Sequence, residues 1–429
     1  MPVPYRIGST EGRAIPRIDR YFMKRLYLDN AATSFPKPRE VLEAMTRYAT
    51  ELGASAGRGA YHEAVQTGAL IAECRRRLCQ LFHGESPQHF IFTLNCSDAL
   101  NLAIKGLVDP QRKGHAICTY ADHNSILRPV NALAERGWIE PTRVAVDPAT
   151  GLVDPDDVAK AIRADTRFIA LAHASNVTGA VQAIRQIGQI ARRHQIPFIV
   201  DAAQSAGHVP IDVQTDCIDL LAAPGHKGLL GPLGTGFLYI RPGIEKILKT
   251  IREGGTGSLS EHDVQPDFLP DKYEPGSHNA IGIIGLGAGV QWVLSQGIEK
   301  LAAEEAKLSR AFIDGVDKVT GLSWYGPRQV KQRVGVFSVA IDGLDPQELA
   351  AVLESHYGIL SRAGIHCAPL MHRAIGSAAR GGTTRLSFGP FLSARDINFA
   401  VDALVEIAAT TSQGAVDSCD QQKISKTMG

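Results

Sequence analysis

The sequence predicts an α/β protein: a large domain built on a mainly parallel sheet, followed by a smaller α+β domain. Three observations carry this prediction. Short apolar runs rich in β-branched residues alternate with amphipathic stretches from His89 to Ala223, the pattern of βαβ units with helices on both sheet faces. Several of those runs stop abruptly at polar residues, as buried parallel strands do when they deliver side chains to their carboxyl ends. Beyond a Gly-, Pro- and Ser-rich break at Arg252 to Asn279, strands and helices no longer alternate regularly, and a chain of 429 residues is too long for one ordinary core.

Taken in order, residues 1–25 lack clear periodicity and read as an N-terminal arm or leader. Leu26-Tyr27-Leu28 is a short strand that runs into the polar turn Asp29 to Thr33, and residues 26–40 are assigned to the large domain or to packing against the small one. A helical pattern spans Arg39 to Leu52. The small residues of Gly53 to Gly59 around Arg58 suit an active-site loop, and a long amphipathic helix covers Tyr61 to Phe82. Strand His89 to Thr93 leads through Asn95-Cys96-Ser97-Asp98 into helix Ala99 to Leu107. A polar turn there leaves unpaired N–H groups and the positive end of a helix dipole at the sheet edge, where a phosphate can sit. A plain N-cap by Ser97 or Asp98 explains the same residues equally well.

Further strands are expected at His115 to Tyr120, Arg143 to Val146, Arg167 to Ala174, Pro197 to Val200 and Ile218 to Ala223, with helices near Ser125 to Arg136, Asp156 to Arg163 and Ile184 to His194. Gly234 to Ile240 reads as an antiparallel strand at one end of the sheet. Gly285-Leu286-Gly287-Ala288-Gly289 imitates a dinucleotide fingerprint but lacks its last glycine and a preceding strand, so it reads as the start of a packed helix reaching Leu294. The large domain is placed at 26–280 and the small one at 281–412. The small domain carries a charged helix (Ile298 to Val319), strands at Gly335 to Ile341 and Thr384 to Phe388, and helices at Pro346 to His356 and Ala394 to Ala409. The polar tail, 413–429, is expected to be disordered.

Lys plus Arg (45) balances Asp plus Glu (44), so no global field points to nucleic acid or to an anionic membrane. No apolar run approaches the roughly 20 residues of a membrane span, and the first residues lack the apolar core of a signal peptide, which implies a cytoplasmic protein. Seven cysteines are scattered without CxxC or zinc-site spacing; free thiols and no metal site are expected.

The chemistry concentrates at strand ends. Asp122-His123-Asn124, Ser175-Asn176, Asp201 with Gln204, and His226-Lys227 close four separate runs, and a ligand at the carboxyl edge of a sheet touches several such ends at once. An acid and a lysine so placed suit pyridoxal phosphate: Lys227 forms the Schiff base and Asp201 keeps the ring nitrogen protonated. Asn176 and Gln204 are placed to donate to the ring oxygen, and His123 to lie on the ring and shuttle protons.

Tyr27-Leu28-Asp29-Asn30-Ala31-Ala32-Thr33, Asp201-x-x-Gln204, Gly225-His226-Lys227 with Gly231-Pro232 and Gly234-x-Gly236, and Gly364-Ile365-His366-Cys367-Ala368-Pro369-Leu370 together resemble the class V aminotransferase-fold family, above all its cysteine desulfurases of the SufS-like and selenocysteine lyase-like group. The resemblance covers Leu26 to Ile407. It implies pyridoxal phosphate fold-type I with a mainly parallel seven-stranded sheet, a homodimer with the site at the subunit interface, and release of sulfur from L-cysteine as alanine forms. L-Selenocysteine is the alternative substrate; another carbon–sulfur lyase, an aminotransferase or an epimerase would be alternative activities. Carried over, Lys227 is the Schiff-base lysine, Asp201, Asn176, Gln204 and His123 are the ring contacts, and Cys96, Ser97 and His226 form the phosphate cradle. Thr256 is a phosphate contact lent by the other subunit. Arg385 binds the substrate carboxylate, Asn30 and Arg58 approach the substrate, and Cys367 is the nucleophile that takes the sulfur as a persulfide. His123, rather than His366, is its proton partner, because neighbouring side chains in an extended loop point to opposite sides. The sulfur then passes to an acceptor: an iron–sulfur scaffold, a tRNA-modifying protein or another carrier. Two departures stand out: Pro224 replaces a frequent Ser or Thr before Gly-His-Lys, and Asn95-Cys96-Ser97-Asp98 replaces the frequent Gly-Thr-Thr-Glu.

Overall fold

The structure, a computed structural model, describes residues 25–56 and 59–427. Expectations for residues 1–24 and for Arg58 lie outside the described residues. In chain order the first part comprises β1 (Leu26–Tyr27), α1 (Arg39–Arg47), α2 (His62–Leu81), β2 (Phe90–Thr93), α3 (Cys96–Gly106), β3 (Gly114–Thr119), α4 (Asn124–Glu135) and β4 (Ile139–Val144). It continues with α5 (Pro155–Lys160), β5 (Thr166–Ala172), α6 (Ile184–Arg193), β6 (Phe198–Asp201), β7 (Leu220–Pro224), β8 (Gly236–Ile240) and α7 (Ala280–Gln296).

These strands form one seven-stranded sheet in the order β2-β8-β7-β6-β5-β3-β4. The run from β7 to β4 is parallel, while β8 is antiparallel to both of its neighbours. The expected antiparallel strand therefore exists, but it is not at the end: β2 pairs along its free edge. The hydrophobicity of β8, buried throughout, is the signal of that second neighbour. At the opposite edge β4 begins at Ile139 rather than Arg143, and it contains Pro141, which an edge strand tolerates because one side needs no ladder donor. Strands β3, β5, β6 and β7 are almost wholly buried between two apolar layers, one of α2, α6 and α7 and one of α3 and α4.

The glycine-rich run sits inside α7, where a side chain on Gly287 would crowd Cys74 of α2 and one on Gly289 would strike the Leu229 carbonyl. The glycines thus serve close packing and not a nucleotide. Because Ile283, Leu286, Val290 and Val293 of α7 belong to the core of the large sheet, the boundary placed at residue 281 is too early.

The second part contains α8 (Ile298–Val316), β9 (Leu322–Tyr325), β10 (Val336–Ile341), α9 (Pro346–Tyr357), β11 (Ile359–Leu360), β12 (Arg362–Gly364), α10 (Pro369–Ala374), β13 (Thr383–Ser387) and α11 (Ala394–Thr427). Its sheet runs β12-β13-β10-β9, and its core gathers Phe312, Phe337, Leu349, Leu386 and Leu404. Strand β1 pairs with β11, and Leu26 and Leu28 join this core, so the described residues begin in the small domain before crossing to the large one. Helix α11 continues to Thr427 where a disordered tail was expected. Polarity misled here: from Thr410 to Thr427 there is no proline and one glycine, and most of the residues are tolerable helix formers.

The long connection from β8 to α7 is irregular, as its composition predicts, yet it is anchored. Buried Glu274 receives both guanidinium Nη atoms of Arg75 and the Phe92 N–H (2.5 Å), and contacts His278 Nε2 (2.6 Å). Arg75→Leu would leave that carboxylate buried without its cation, at a cost of roughly 3–5 kcal/mol. Urea unfolding of the two proteins measures it, and a loss below about 1 kcal/mol would show that the pair does not hold the loop.

Candidate active site

The carboxyl ends of β5, β6 and β7, the turn after β3 and the start of α3 surround one cavity of about 540 Å³. That is ample for a ring with a charged arm. Its lining includes Cys96, Ser97, His123, Asn176, Asp201, Gln204, His226 and Lys227, eight of the residues singled out above, together with Pro224.

Register explains the convergence. Ala172, Asp201 and Ala222 lie side by side on β5, β6 and β7, so β5 and β6 end at one level while β7 runs two residues further, to Pro224. Asp201 is buried, and its Oδ1 accepts from the Ala203 N–H (2.8 Å) and from the Cys96 thiol (3.3 Å). Among the described residues no group bonds Oδ2. Lys227 lies in the turn after β7, where burial pushes its pKa down against the opposing pull of Asp201. Gly225 is required in this turn, because a Cβ there would collide with Thr235 Oγ1.

Helix α3 opens toward the cavity. Its cap is Asn95, whose side chain accepts from the Asp98 N–H (2.9 Å), and not Ser97 or Asp98; Cys96 and Ser97 occupy the first turn, with their N–H groups among those that no intrahelical carbonyl can satisfy. His226 contributes a buried Nδ1 with no hydrogen-bond partner, and burial lowers its pKa to about 4. His123 caps α4: its Nδ1 accepts from the Ser125 N–H (3.0 Å), so the neutral ring carries its proton on Nε2. Burial lowers its pKa to about 4 as well.

Gln204 uses Nε2 to donate to the Ala31 carbonyl (2.9 Å). Asn176 does not offer its amide to the cavity alone: Nδ2 donates to the His366 carbonyl (2.6 Å), so it holds the Cys367 loop. The Asn124 N–H, next to His123, donates to the Cys367 carbonyl (2.8 Å). The loop is not extended as expected, since His366 and Cys367 both have left-handed backbones (φ 50° and 56°). The imidazole of His366 is nevertheless buried while Cys367 is exposed.

Arg385, only 2 % exposed, borders the site from β13. Its Nη2 pairs with Asp29 Oδ1 (2.8 Å), Nη1 donates to the Asn176 carbonyl (3.3 Å), and buried Nε has no partner. Asp29 is the residue that sequence reasoning missed; its place in the Leu28-Asp29-Asn30 motif was the available signal. Asn30 has its amide engaged by backbone on both ends, donating to the Ser387 carbonyl (3.2 Å) and accepting from the Phe35 N–H (3.2 Å). Thr256 bonds within its own loop to Ser258 and does not line this cavity.

Fold and cavity together define an α/β enzyme of fold-type I, with a lysine and a carboxylate offered from neighbouring strand ends. The family model for class V aminotransferases matches residues 26–399. A probable cysteine desulfurase of Methanothermobacter thermautotrophicus is 35 % identical over 386 residues, covering 89 % of this chain and 94 % of the relative. The cysteine desulfurase IscS of Dictyoglomus turgidum is 31 % identical over 90 % of this chain and 95 % of its own length. Among solved structures, the apo cysteine desulfurase from Thermococcus onnurineus NA1 superposes with a TM-score of 0.83 at 31 % identity, covering 90 % of this chain and 95 % of the other. The chain belongs to the class V aminotransferase family, on its cysteine desulfurase branch.

Residues present here fit the cofactor of that family. Unbonded Asp201 Oδ2, the orphan His226 Nδ1 and the open first turn of α3 supply an acceptor for a ring nitrogen and donors for a phosphate. The buried histidines also set a pH dependence. His123, His173, His226 and His372 all have pKa values lowered by burial to about 4, from 6.5. The unfolded chain therefore binds more protons between pH 6.5 and 4, and folding stability falls as pH falls through that window, with each histidine contributing up to about 1.4 kcal/mol per pH unit. Denaturant unfolding at successive pH values should show this loss; a flat profile from pH 6.5 to 4.5 would refute it.

Proposed function

We propose that this enzyme is a cysteine desulfurase that uses pyridoxal phosphate to take sulfur from L-cysteine, leaving L-alanine and a persulfide on Cys367. The observation that carries the proposal is the exposed thiol of Cys367 on a loop tied by hydrogen bonds to two walls of the Lys227 cavity, at Asn124 and at Asn176. An aminotransferase or an epimerase has no use for a thiol so placed.

Lys227 and Asp201 would hold the cofactor ring at its two ends, with His226, Ser97 and the α3 N–H groups around its phosphate. When bound, the cofactor supplies an electron sink for negative charge on the substrate carbon. The depressed pKa of Lys227 favours a neutral amine, the form that reacts with carbonyls. Arg385, with Nε unpartnered and buried, is the group for the substrate carboxylate, and Asp29 keeps the guanidinium oriented. The Cys367 thiolate attacks the sulfur of bound cysteine. The sulfur–sulfur bond forms as the carbon–sulfur bond breaks; the electron pair of the broken bond stays with carbon, which takes a proton as alanine. His123 holds a proton on Nε2, the nitrogen that α4 leaves free, and it directly precedes Asn124, whose N–H holds the Cys367 carbonyl.

A second copy of the chain completes this reading. Leu94 and Leu233, at the rim of the cavity, are 58 % and 67 % exposed, apolar surface suited to cover by a partner. Thr256 would reach the phosphate of the other subunit's site. The sulfur acceptor is a protein able to approach an exposed cysteine.

Purified protein loaded with pyridoxal phosphate and given L-cysteine should release alanine and carry a persulfide detectable by mass spectrometry. Cys367→Ala should cut turnover by a factor of roughly a thousand and abolish the persulfide. Alanine formed equally fast by Cys367→Ala would reject the thiol mechanism.

A further inference from the structure

Beneath the turn that carries Lys227 runs the segment Thr33 to Lys37, of which Ser34 to Lys37 lie outside the family motifs and have no part in the catalytic reading. Its contacts converge on two carbonyls of the turn. The His226 carbonyl accepts from the Ser34 N–H (2.9 Å), from Thr33 Oγ1 (3.1 Å) and from Lys37 Nζ (3.0 Å). Lys37 Nζ also donates to Ser34 Oγ (2.6 Å), which in turn donates to the Lys227 carbonyl (2.9 Å). A lysine is thus linked to the backbone of the Schiff-base lysine through one hydroxyl.

The unusual feature is charge. Lys37 is half-buried, and no carboxylate of the described residues lies within ion-pair distance of its ammonium. Burial lowers its pKa only to about 8, so the group stays cationic at neutral pH, and its charge is one reason that His226 stays neutral. A desolvated cation without an anion is costly, and such a cost persists where something else answers the charge. Among the described residues, the charged side chains that line the cavity are Asp201 and Lys227, one of each sign. Between them they carry no net charge to set against a phosphate dianion, and Pro224 in the same lining offers no hydroxyl.

We propose that Lys37 is a positioning residue that braces the His226-Lys227 turn from behind and supplies the counter-charge for the phosphate of the cofactor. The proposal rests on the cofactor reading above and adds to it a residue outside the cavity lining. A neutral brace would hold the turn equally well, so the proposal predicts a dependence on the phosphate itself.

The experiment compares binding of pyridoxal phosphate and of pyridoxal, which lacks the phosphate, to the cofactor-free full chain, its Lys37→Met variant and its Lys37→Gln variant. Gln keeps a donor for Ser34 and for His226 but no charge. Far-UV circular dichroism and thermal unfolding of the unliganded proteins verify that all three are folded. Both variants should bind pyridoxal phosphate about tenfold more weakly while binding pyridoxal as the parent does. Unchanged affinity for pyridoxal phosphate overturns the proposal, as does an equal loss for both ligands, which would assign Lys37 to the turn alone. Parent protein that takes up neither ligand would overturn the cofactor reading itself, and the counter-charge with it.

Discussion

The site depends on one buried carboxylate that takes no part in chemistry. Asp122 accepts from the Thr119 N–H at the end of β3 (2.6 Å) and from the Ala172 N–H at the end of β5 (2.8 Å), so a single side chain joins the last residues of two adjacent strands. Burial raises its pKa to about 7 in spite of both bonds. Beyond this clasp β3 cannot continue, and the next residue, His123, becomes the cap of α4. The ends of β5 and β6 are then fixed by register, and with them Asp201. A parallel sheet with buried faces has only its carboxyl edge on which to display polar groups; Asp122 determines where that edge falls.

The two domains meet across the same edge through the segment from Leu28 to Ala31. The Leu28 carbonyl accepts from the Ser387 N–H (2.7 Å), the Ala31 N–H donates to Ser387 Oγ (2.8 Å), and Gln204 Nε2 donates to the Ala31 carbonyl (2.9 Å). Arg333 adds a second tie: its guanidinium stacks on Phe337 and donates to the Thr178 carbonyl of the large domain (3.3 Å) and to the Val336 carbonyl of the small one (2.7 Å). Arg385 and the Cys367 loop, both from the small domain, therefore stand at fixed distances from a cavity made by the large one. Substrate contact and cofactor contact come from separate domains, and the N-terminal segment is what makes them one site.

Much of this was legible in the sequence because period and strand ends are local signals. The runs ending at Asp201 and Lys227 mark buried strands, and their terminal residues line the cavity as read. Failures came where the determinant is non-local. The interior place of β8 depends on β2, far away in sequence, and α7 was assigned to the wrong domain because its apolar face looks the same whichever core covers it. The role of Asp29 emerges only when Arg385 is brought beside it across 356 positions. Lys37 sits between two prolines, where a solvated loop is the ordinary expectation; its burial is decided by the turn it supports.

The Cys367 loop has a mechanical consequence. The carbonyls of His366 and Cys367 are both tethered, to Asn176 and to Asn124, and the backbone between them is folded tightly into consecutive left-handed residues. Excursion of the whole loop has to break both tethers. Rotation about the Cα–Cβ bond of Cys367 breaks neither. The sulfur is in this respect a short swivel and not a swinging arm: it sweeps a small arc at the surface, and whatever collects the cargo must be brought to the pivot.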